Sequence, residues 1–199
     1  MKVFLSALGP ITAKPIHVLD IGGTASYWQA TQDLWGAWPL RFTIVNLDVE
    51  ASDDGPFAVR SGNACAMPEF ADNSFDVVHS NSVIEHVGHW SEMAAMAGEV
   101  RRLAPAYYLQ TPNFWFPIEP HYRALGYQWL PESTRAHILT RRKLGFRGPE
   151  KSFDAAMRNI QSANLLTARQ IRELFPDAEL HRERFMGLTK SLIALRKLQ

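Results

Sequence analysis

Two acids, Asp20 and Asp48, each close a short apolar run, and they lie 28 positions apart. The first run, Val18-Leu19-Asp20-Ile21, leads directly into Gly22-Gly23; the second is Ile44-Val45-Asn46-Leu47-Asp48, followed by Val49. That separation fits two parallel strands joined by a helix, which brings both acids to one carboxyl-end rim of a sheet. At such a rim, glycines permit a sharp turn and close approach of backbone to a ligand. Turn amides and a following helix N-terminus favour an anionic group, and a carboxylate accepts from a ribose diol. The chemistry implied is the binding of a nucleoside with a charged tail. A pyrophosphate loop would need G-x-G-x-x-G, whereas here Gly22-Gly23 runs into Thr24-Ala25-Ser26, which argues against a nicotinamide dinucleotide.

Two histidines follow the next strand-like segments. His86 ends Ser80-Asn81-Ser82-Val83-Ile84-Glu85-His86, and His121 sits in Ile118-Glu119-Pro120-His121-Tyr122. An imidazole is suited to general-base work near neutral pH, and Glu119 is close enough in sequence to orient His121. Each also has a plainer reading as a satisfied structural histidine. Ser80 and Asn81 either touch the charged tail or merely end a strand. Asp76 reads as structural. The single cysteine, Cys65, excludes an internal disulfide and a cysteine-rich zinc site, and reads as a packed residue; no metal ligands are assigned.

The elements that must position these residues alternate as an α/β chain requires. Strands are expected at Ile16 to Ile21, Phe42 to Leu47, Phe57 to Val59, Phe75 to His79 and Ala106 to Leu109. Helices are expected at Ser26 to Trp35, with Ser26 as cap, at Ser91 to Leu103, and at Arg169 to Leu174 behind a Thr167 cap. Asp53-Asp54-Gly55-Pro56 reads as a turn. Residues 112 to 150 are aromatic and proline-punctuated, too long for a plain loop. They read as an insertion with helices at His121 to Tyr127 and Pro131 to Leu144, which completes the core, forms an acceptor pocket or touches a membrane surface. Ala178 to Phe185 and Leu188 to Leu195 read as a closing hairpin turned at Met186-Gly187.

Taken in order, Val18-Leu19-Asp20-Ile21-Gly22-Gly23, Asn46-Leu47-Asp48, Gly62-Asn63-Ala64 with Met67-Pro68, Asn73-Ser74-Phe75-Asp76-Val77-Val78 and Ser80 to Val87 resemble the class I S-adenosylmethionine-dependent methyltransferases, specifically the methyltransferase type 11 group. The resemblance covers about residues 16 to 111, and the terminal hairpin resembles the family's final one. It implies a Rossmann-like three-layer α/β sandwich whose mostly parallel seven-stranded sheet has an antiparallel last strand, over residues 1–199 as a single domain. It implies S-adenosyl-L-methionine as cofactor. Asp20 would hold the methionine part, Asp48 the ribose hydroxyls, Val49 the adenine face, and Gly62-Asn63-Ala64 the adenine edge. Family members often carry aspartate where Asn63 stands; its amide oxygen can still accept. The spaced glycines usual in the family's loop are fewer here, with Thr24, Ala25 and Ser26 following the pair.

Composition sets the outer bounds. At 199 residues with 46% hydrophobic and 21% charged residues, the chain is long enough for one full core. A net charge of +1 gives no field for nucleic acid or an anionic membrane. No apolar run reaches the roughly 20 residues of a transmembrane helix, and the N-terminal stretch lacks the core of a signal peptide. A cytoplasmic protein is expected, with a small-molecule or glycan-type acceptor methylated on oxygen, and a homo-oligomer compatible with the sequence. Two rivals stand beside this reading: a non-catalytic methyltransferase-like partner subunit, and a nucleotide-dependent oxidoreductase.

Overall fold

The computed structural model describes residues 1–11 and 13–198. In chain order the strands are β1 (Ile16–Ile21), β2 (Leu40–Asn46), β3 (Ser52–Asp54), β4 (Phe57–Ser61), β5 (Val77–Asn81), β6 (Ala106–Pro112), a short hairpin β7 (Ile118–Glu119) and β8 (Ala124–Leu125), then β9 (Glu179–Phe185) and β10 (Leu188–Arg196). The helices are α1 (Lys2–Leu5), α2 (Ala25–Ala30), α3 (Gln32–Trp35), α4 (Trp90–Leu103), α5 (Glu132–Arg141), α6 (Phe153–Gln161) and α7 (Ala168–Leu174). Eight strands form the main sheet in the order β3-β4-β2-β1-β5-β6-β10-β9. β4, β2, β1, β5 and β6 run parallel, and β10 lies antiparallel to β6. The last strand is therefore antiparallel, as the sequence implies.

The eighth strand is β3, three exposed residues paired antiparallel with β4 in a stretch read as part of a turn. The helix expected at Ser26 to Trp35 is broken at Thr31 into α2 and α3. Its cap is Thr24, whose hydroxyl accepts from the Tyr27 amide, rather than Ser26. No helix forms at His121 to Tyr127: the chain instead closes β7 on β8 and turns through a short 3-10 segment at Tyr127–Trp129. The second expected helix is shortened to α5. α6 was not anticipated, although Ser152 caps it by accepting from the Ala155 amide. Thr167 caps α7 with Gln170 in a reciprocal capping box, and Met186 and Gly187 turn the final hairpin with φ of 49° and 82°.

The sheet is covered on both faces. One core gathers Trp28, Trp35, Phe42, Val18 and Tyr108 with Phe4 of α1; the other packs α4 and α7 against Leu19, Ile21, Tyr107 and Leu192. A third, smaller core of Tyr122, Tyr127, Leu139 and Ile160 lies within the connection between β6 and α7. Asp76 is structural, its carboxylate accepting from the His17 amide at 2.8 Å. Cys65 donates its thiol to the Glu92 carbonyl, and burial pushes the thiol up from its ordinary value, away from thiolate chemistry.

A carboxylate is buried against the first core. Asp20, fully buried, accepts from Trp28 Nε1 at 2.6 Å and pairs with His79 Nδ1 at 2.7 Å. Phe4, Trp28 and Tyr108 surround the His79 ring, with Tyr108 stacked on it at 5.2 Å between centroids. β1, β5 and α2 are thereby tied at one carboxylate. Gly23 is required beside it, because a Cβ there would stand 1.7 Å from Asp20 Oδ2; at Gly22, with φ +77°, a Cβ would meet Val83 Cγ2 at 2.4 Å. Asp20→Asn would turn an amide donor toward one of two fixed donors, and a cost of about 1–3 kcal/mol in denaturant unfolding is expected. Gly23→Ala should cost more than Asp20→Asn in the same measurement. Gly98→Ala, on the exposed face of α4 with open space around it, should instead stabilise by about 0.5–1 kcal/mol.

Candidate active site

β1, β2, β4 and β5 end at a common rim, where the chain leaves the sheet in loops lined by small and polar residues. A cavity of about 550 Å³ opens there between the loop after β1 and the loops after β2, β4 and β5. Val45, Val49, Ala64 and Val83 give it apolar walls, while Asn46, Asn63 and His86 give it polar edges. A second cavity of about 200 Å³ continues along the rim, bordered by Asp20, Gly23, Tyr27, His79 and Asn81. Gly22 and Thr24 line both, so the glycine turn forms the sill between them. Burial raises the Tyr27 hydroxyl above its ordinary value, with the Asp20 charge adding to it, so the second cavity meets a neutral phenol.

The residues singled out from the sequence fall into three groups. Gly22, Gly23, Val49, Asn63 and Ala64 line the paired cavities, as does Asp20 with its carboxylate already engaged by two donors. Asp48 sits in a left-handed turn, φ 52°, exposed at the mouth between Leu47 and Val49, which both line the larger cavity. Ser80 lies elsewhere: it is fully buried, lines neither cavity, and its hydroxyl has no partner among the described residues. Strand alternation explains this correction, since successive side chains of β5 face opposite ways and Asn81 is the one that reaches the rim. Asn46 was not singled out, yet its amide donates to the Gly23 carbonyl at 2.8 Å and ties β2 to the turn. Asn63 accepts from the Cys65 amide and so holds its own loop in shape.

The two histidines meet. His86 lines the larger cavity, and its Nε2 stands 3.2 Å from Nε2 of His121, with the rings at 86°. His86 Nδ1 contacts the Ser162 carbonyl at 2.9 Å, and His121 Nδ1 contacts Glu119 Oε1 at 2.7 Å. Glu119 is buried and also accepts from the Tyr122 amide on its other oxygen. Glu85, next to His86 and fully buried, takes the Thr111 hydroxyl on Oε2 at 2.8 Å, while Oε1 has no partner among the described residues. Burial raises the Glu85 carboxyl above the usual carboxylate range, opposed by the Thr111 hydrogen bond and the two imidazoles. Asn164 holds the segment, its amide N–H donating to the Glu85 carbonyl and its side chain to the Gly88 carbonyl. Glu85, Thr111 and residues 162–164 escaped the sequence reading; the one local signal was an acid directly preceding His86.

A further cavity of about 350 Å³ lies on the other side of this loop, bordered by Ser82, Gln110, Asn113, Phe116, Arg123 and Lys190 among others. Ser82 adopts φ 58° and donates its hydroxyl to Gln110 Oε1 at 3.0 Å. The segment from Ser82 to Val87 is therefore a shared wall: Val83, His86 and Val87 face one cavity and Ser82 the other.

Residues 29–105 match the family model described as Methyltransferase domain. A search of the curated proteins finds no match. Among solved structures, phosphoethanolamine N-methyltransferase 2 of Haemonchus contortus, in complex with S-adenosyl-L-methionine, aligns with a TM-score of 0.57 at 18% identity, over 91% of this chain and 37% of that one. The chain thus spans little more than a third of that relative. A SAM-dependent methyltransferase of Methanosarcina mazei aligns with a TM-score of 0.54 at 18% identity, over 94% and 95% of the two chains. A Rhodobacter sphaeroides protein named as a Zn-dependent alcohol dehydrogenase aligns with a TM-score of 0.63 at 13% identity, over 100% and 88%. At these identities the structural likenesses establish the fold alone. Residues 29–105 thus match a methyltransferase-domain model inside a fold that this chain shares with S-adenosylmethionine-dependent methyltransferases.

Proposed function

We propose that this chain transfers the methyl group of S-adenosylmethionine to an oxygen of a small-molecule or glycan-type acceptor. The observation that carries the reading is the pair of cavities joined at Gly22 and Thr24, with His86 on the wall of the larger. The larger cavity suits adenosine: Val45, Val49 and Ala64 would flank the base, Asn63 and Gly62 its edge, and Asp48 the ribose diol at the mouth. The smaller suits the methionine end, where Asn81, Thr24 and the remaining lone pairs of Asp20 would meet the amino and carboxylate groups. Without a G-x-G-x-x-G turn, this rim has no cradle for the pyrophosphate of a dinucleotide.

The sulfonium is already an activated methyl donor, so the protein's task is to align donor and acceptor and to keep water out. The acceptor would reach the methyl from the side of His86 and His121, where basic nitrogens can meet its hydroxyl. The cavity behind Ser82, with Arg123 and Lys190 on its border, suits a polar acceptor or one with an acidic group. The connection from 112 to 150 supplies Asn113, Phe116, Ile118, Pro120 and Arg123 to it, as an acceptor-pocket insertion within a single domain would.

Calorimetry with S-adenosylhomocysteine and with a nicotinamide dinucleotide tests the donor site: the former should bind and the latter should not. Asp48→Ala and Asn81→Ala should each weaken S-adenosylhomocysteine at least about tenfold, as expected for loss of charge-assisted or polar ligand contacts. His86→Ala and His121→Ala should lower turnover about 10²–10⁴-fold while leaving that affinity within a few-fold. Undiminished turnover in both histidine variants would remove the imidazole pair from the mechanism.

A further inference from the structure

The structure assigns a divalent transition-metal site to Glu85, His86 and His121. One ligand atom from each residue lies within 4.8 Å of those of the other two. The hydrogen bonds on the far side of each ring fix which nitrogen faces inward. A carbonyl oxygen only accepts, so His86 donates from Nδ1 to Ser162 O; Glu119 accepts on both oxygens, so His121 donates from Nδ1 to it. Neutral imidazoles in these tautomers carry lone pairs on Nε2, and the two Nε2 atoms face one another at 3.2 Å. Two lone pairs at that distance repel unless a positive species joins them.

That species is either a proton or a metal ion, and the surroundings favour the metal. A shared proton would leave the buried Glu85 Oε1 without a partner, whereas an ion takes a carboxylate oxygen together with both nitrogens. The spacing fits as well: two nitrogens on a tetrahedral zinc with Zn–N of about 2.0–2.1 Å stand about 3.3 Å apart. A His86–Nδ1 bond to a carbonyl and a His121–Nδ1 bond to a carboxylate are the contacts that orient metal-binding imidazoles and raise their basicity. Two histidines and a glutamate leave a coordination position for an exogenous oxygen.

What the ion does rests on the methyl-transfer reading; that it binds does not. His86 borders the donor cavity, so an ion beside it can hold the acceptor oxygen near the methyl group. The bound acceptor hydroxyl loses its proton to solvent more readily, its oxygen lone pair forms the C–O bond as the C–S bond breaks, and the neutral thioether leaves.

The test is metal binding by the full chain after dialysis against a chelator. Titration with Co²⁺ or Zn²⁺ should saturate at one ion per chain, and cobalt should give the visible bands of a four-coordinate nitrogen and oxygen site. Glu85→Gln and His121→Ala should each weaken the affinity at least about 100-fold, more than the loss typical of removing only an orienting contact. His137→Ala, an exposed histidine on α5, should not change it. His121 is only partly buried, so its variant remains informative if Glu85→Gln fails to fold. Absence of saturable binding, or binding unchanged in both site variants, overturns the assignment and leaves a proton between the rings. Methyl transfer undiminished in chelator-treated protein overturns the ion's proposed role. S-adenosylhomocysteine binding by that same protein reports separately on the donor site.

Discussion

The buried Asp20 carboxylate is the constraint around which the rim at the end of β1 is arranged. A carboxylate with no water around it is tolerated only when donors surround it, and here an indole and an imidazole serve from α2 and β5. Those donors come from eight and fifty-nine residues away, so one group fixes where the helix after β1 begins and how β5 sits beside β1. The glycine turn follows from it. Only a residue without Cβ fits against the carboxylate at position 23, and only glycine fits beneath Val83 at position 22. The sill between the two cavities is therefore set by a charge in the core before any ligand arrives. Such rigidity favours binding because little ordering remains to be done on association.

The same constraint changes what the first acid can do. From the sequence, Asp20 stands simply as a group waiting for the methionine amine. In the fold it already serves two protein donors, and any contact with a ligand uses lone pairs left over. Its neighbours at the rim are less committed: Asn81 at the end of β5 and Thr24 beyond the turn border the smaller cavity, and Asp48 stands exposed at the mouth of the larger. Asn46 makes a comparable trade in reverse. Its amide braces the Gly23 carbonyl while its side chain also borders the larger cavity, so one residue holds the turn and lines the site.

What was legible in the sequence was local. The apolar runs of β1, β2 and β5, the glycine pair, the Thr167 cap and the Met186-Gly187 turn are each set by a few adjacent residues, and each was found within a few positions. What was not legible depended on partners far along the chain. His79 reads as an ordinary strand residue until Asp20 is seen opposite it. Ser26 reads as the cap of the helix after β1, but the extended backbone at Thr24 makes Thr24 the residue whose hydroxyl accepts there. Ser80 and Asn81 share one reading in the sequence, and they part in the fold because a single step along a strand reverses the side-chain direction, which leaves Asn81 at the rim and Ser80 buried. Glu85 carries no signal of burial on its own; the Thr111 hydroxyl and the loop at residues 162–164 enclose it. The helix expected at 121 to 127 failed for a related reason. Ile118 and Glu119 pair instead with Leu125 and Ala124, and the Glu119 carboxylate closes the tight turn between them on His121 and the Tyr122 amide.

The histidine side of the rim is built on different foundations from the glycine turn. His121, Glu119 and the Ser162 carbonyl all belong to the connection between β6 and α7, which has its own core in Tyr122, Tyr127, Leu139 and Ile160. That connection is joined to the sheet through Asn113, whose backbone and side-chain amides donate to the Lys190 and Thr189 carbonyls of β10, and through Asn164 against Glu85 and Gly88. Changes within its small core would displace the imidazole pair while leaving Asp20, Trp28 and the glycine turn untouched. The cavities at the glycine turn and the imidazole pair therefore draw on separate packing, and they meet along the short wall from Ser82 to Val87. Variation in the connection can reshape the cavity behind Ser82 while leaving the Asp20 cluster in place, because the partners of that carboxylate come from α2 and β5.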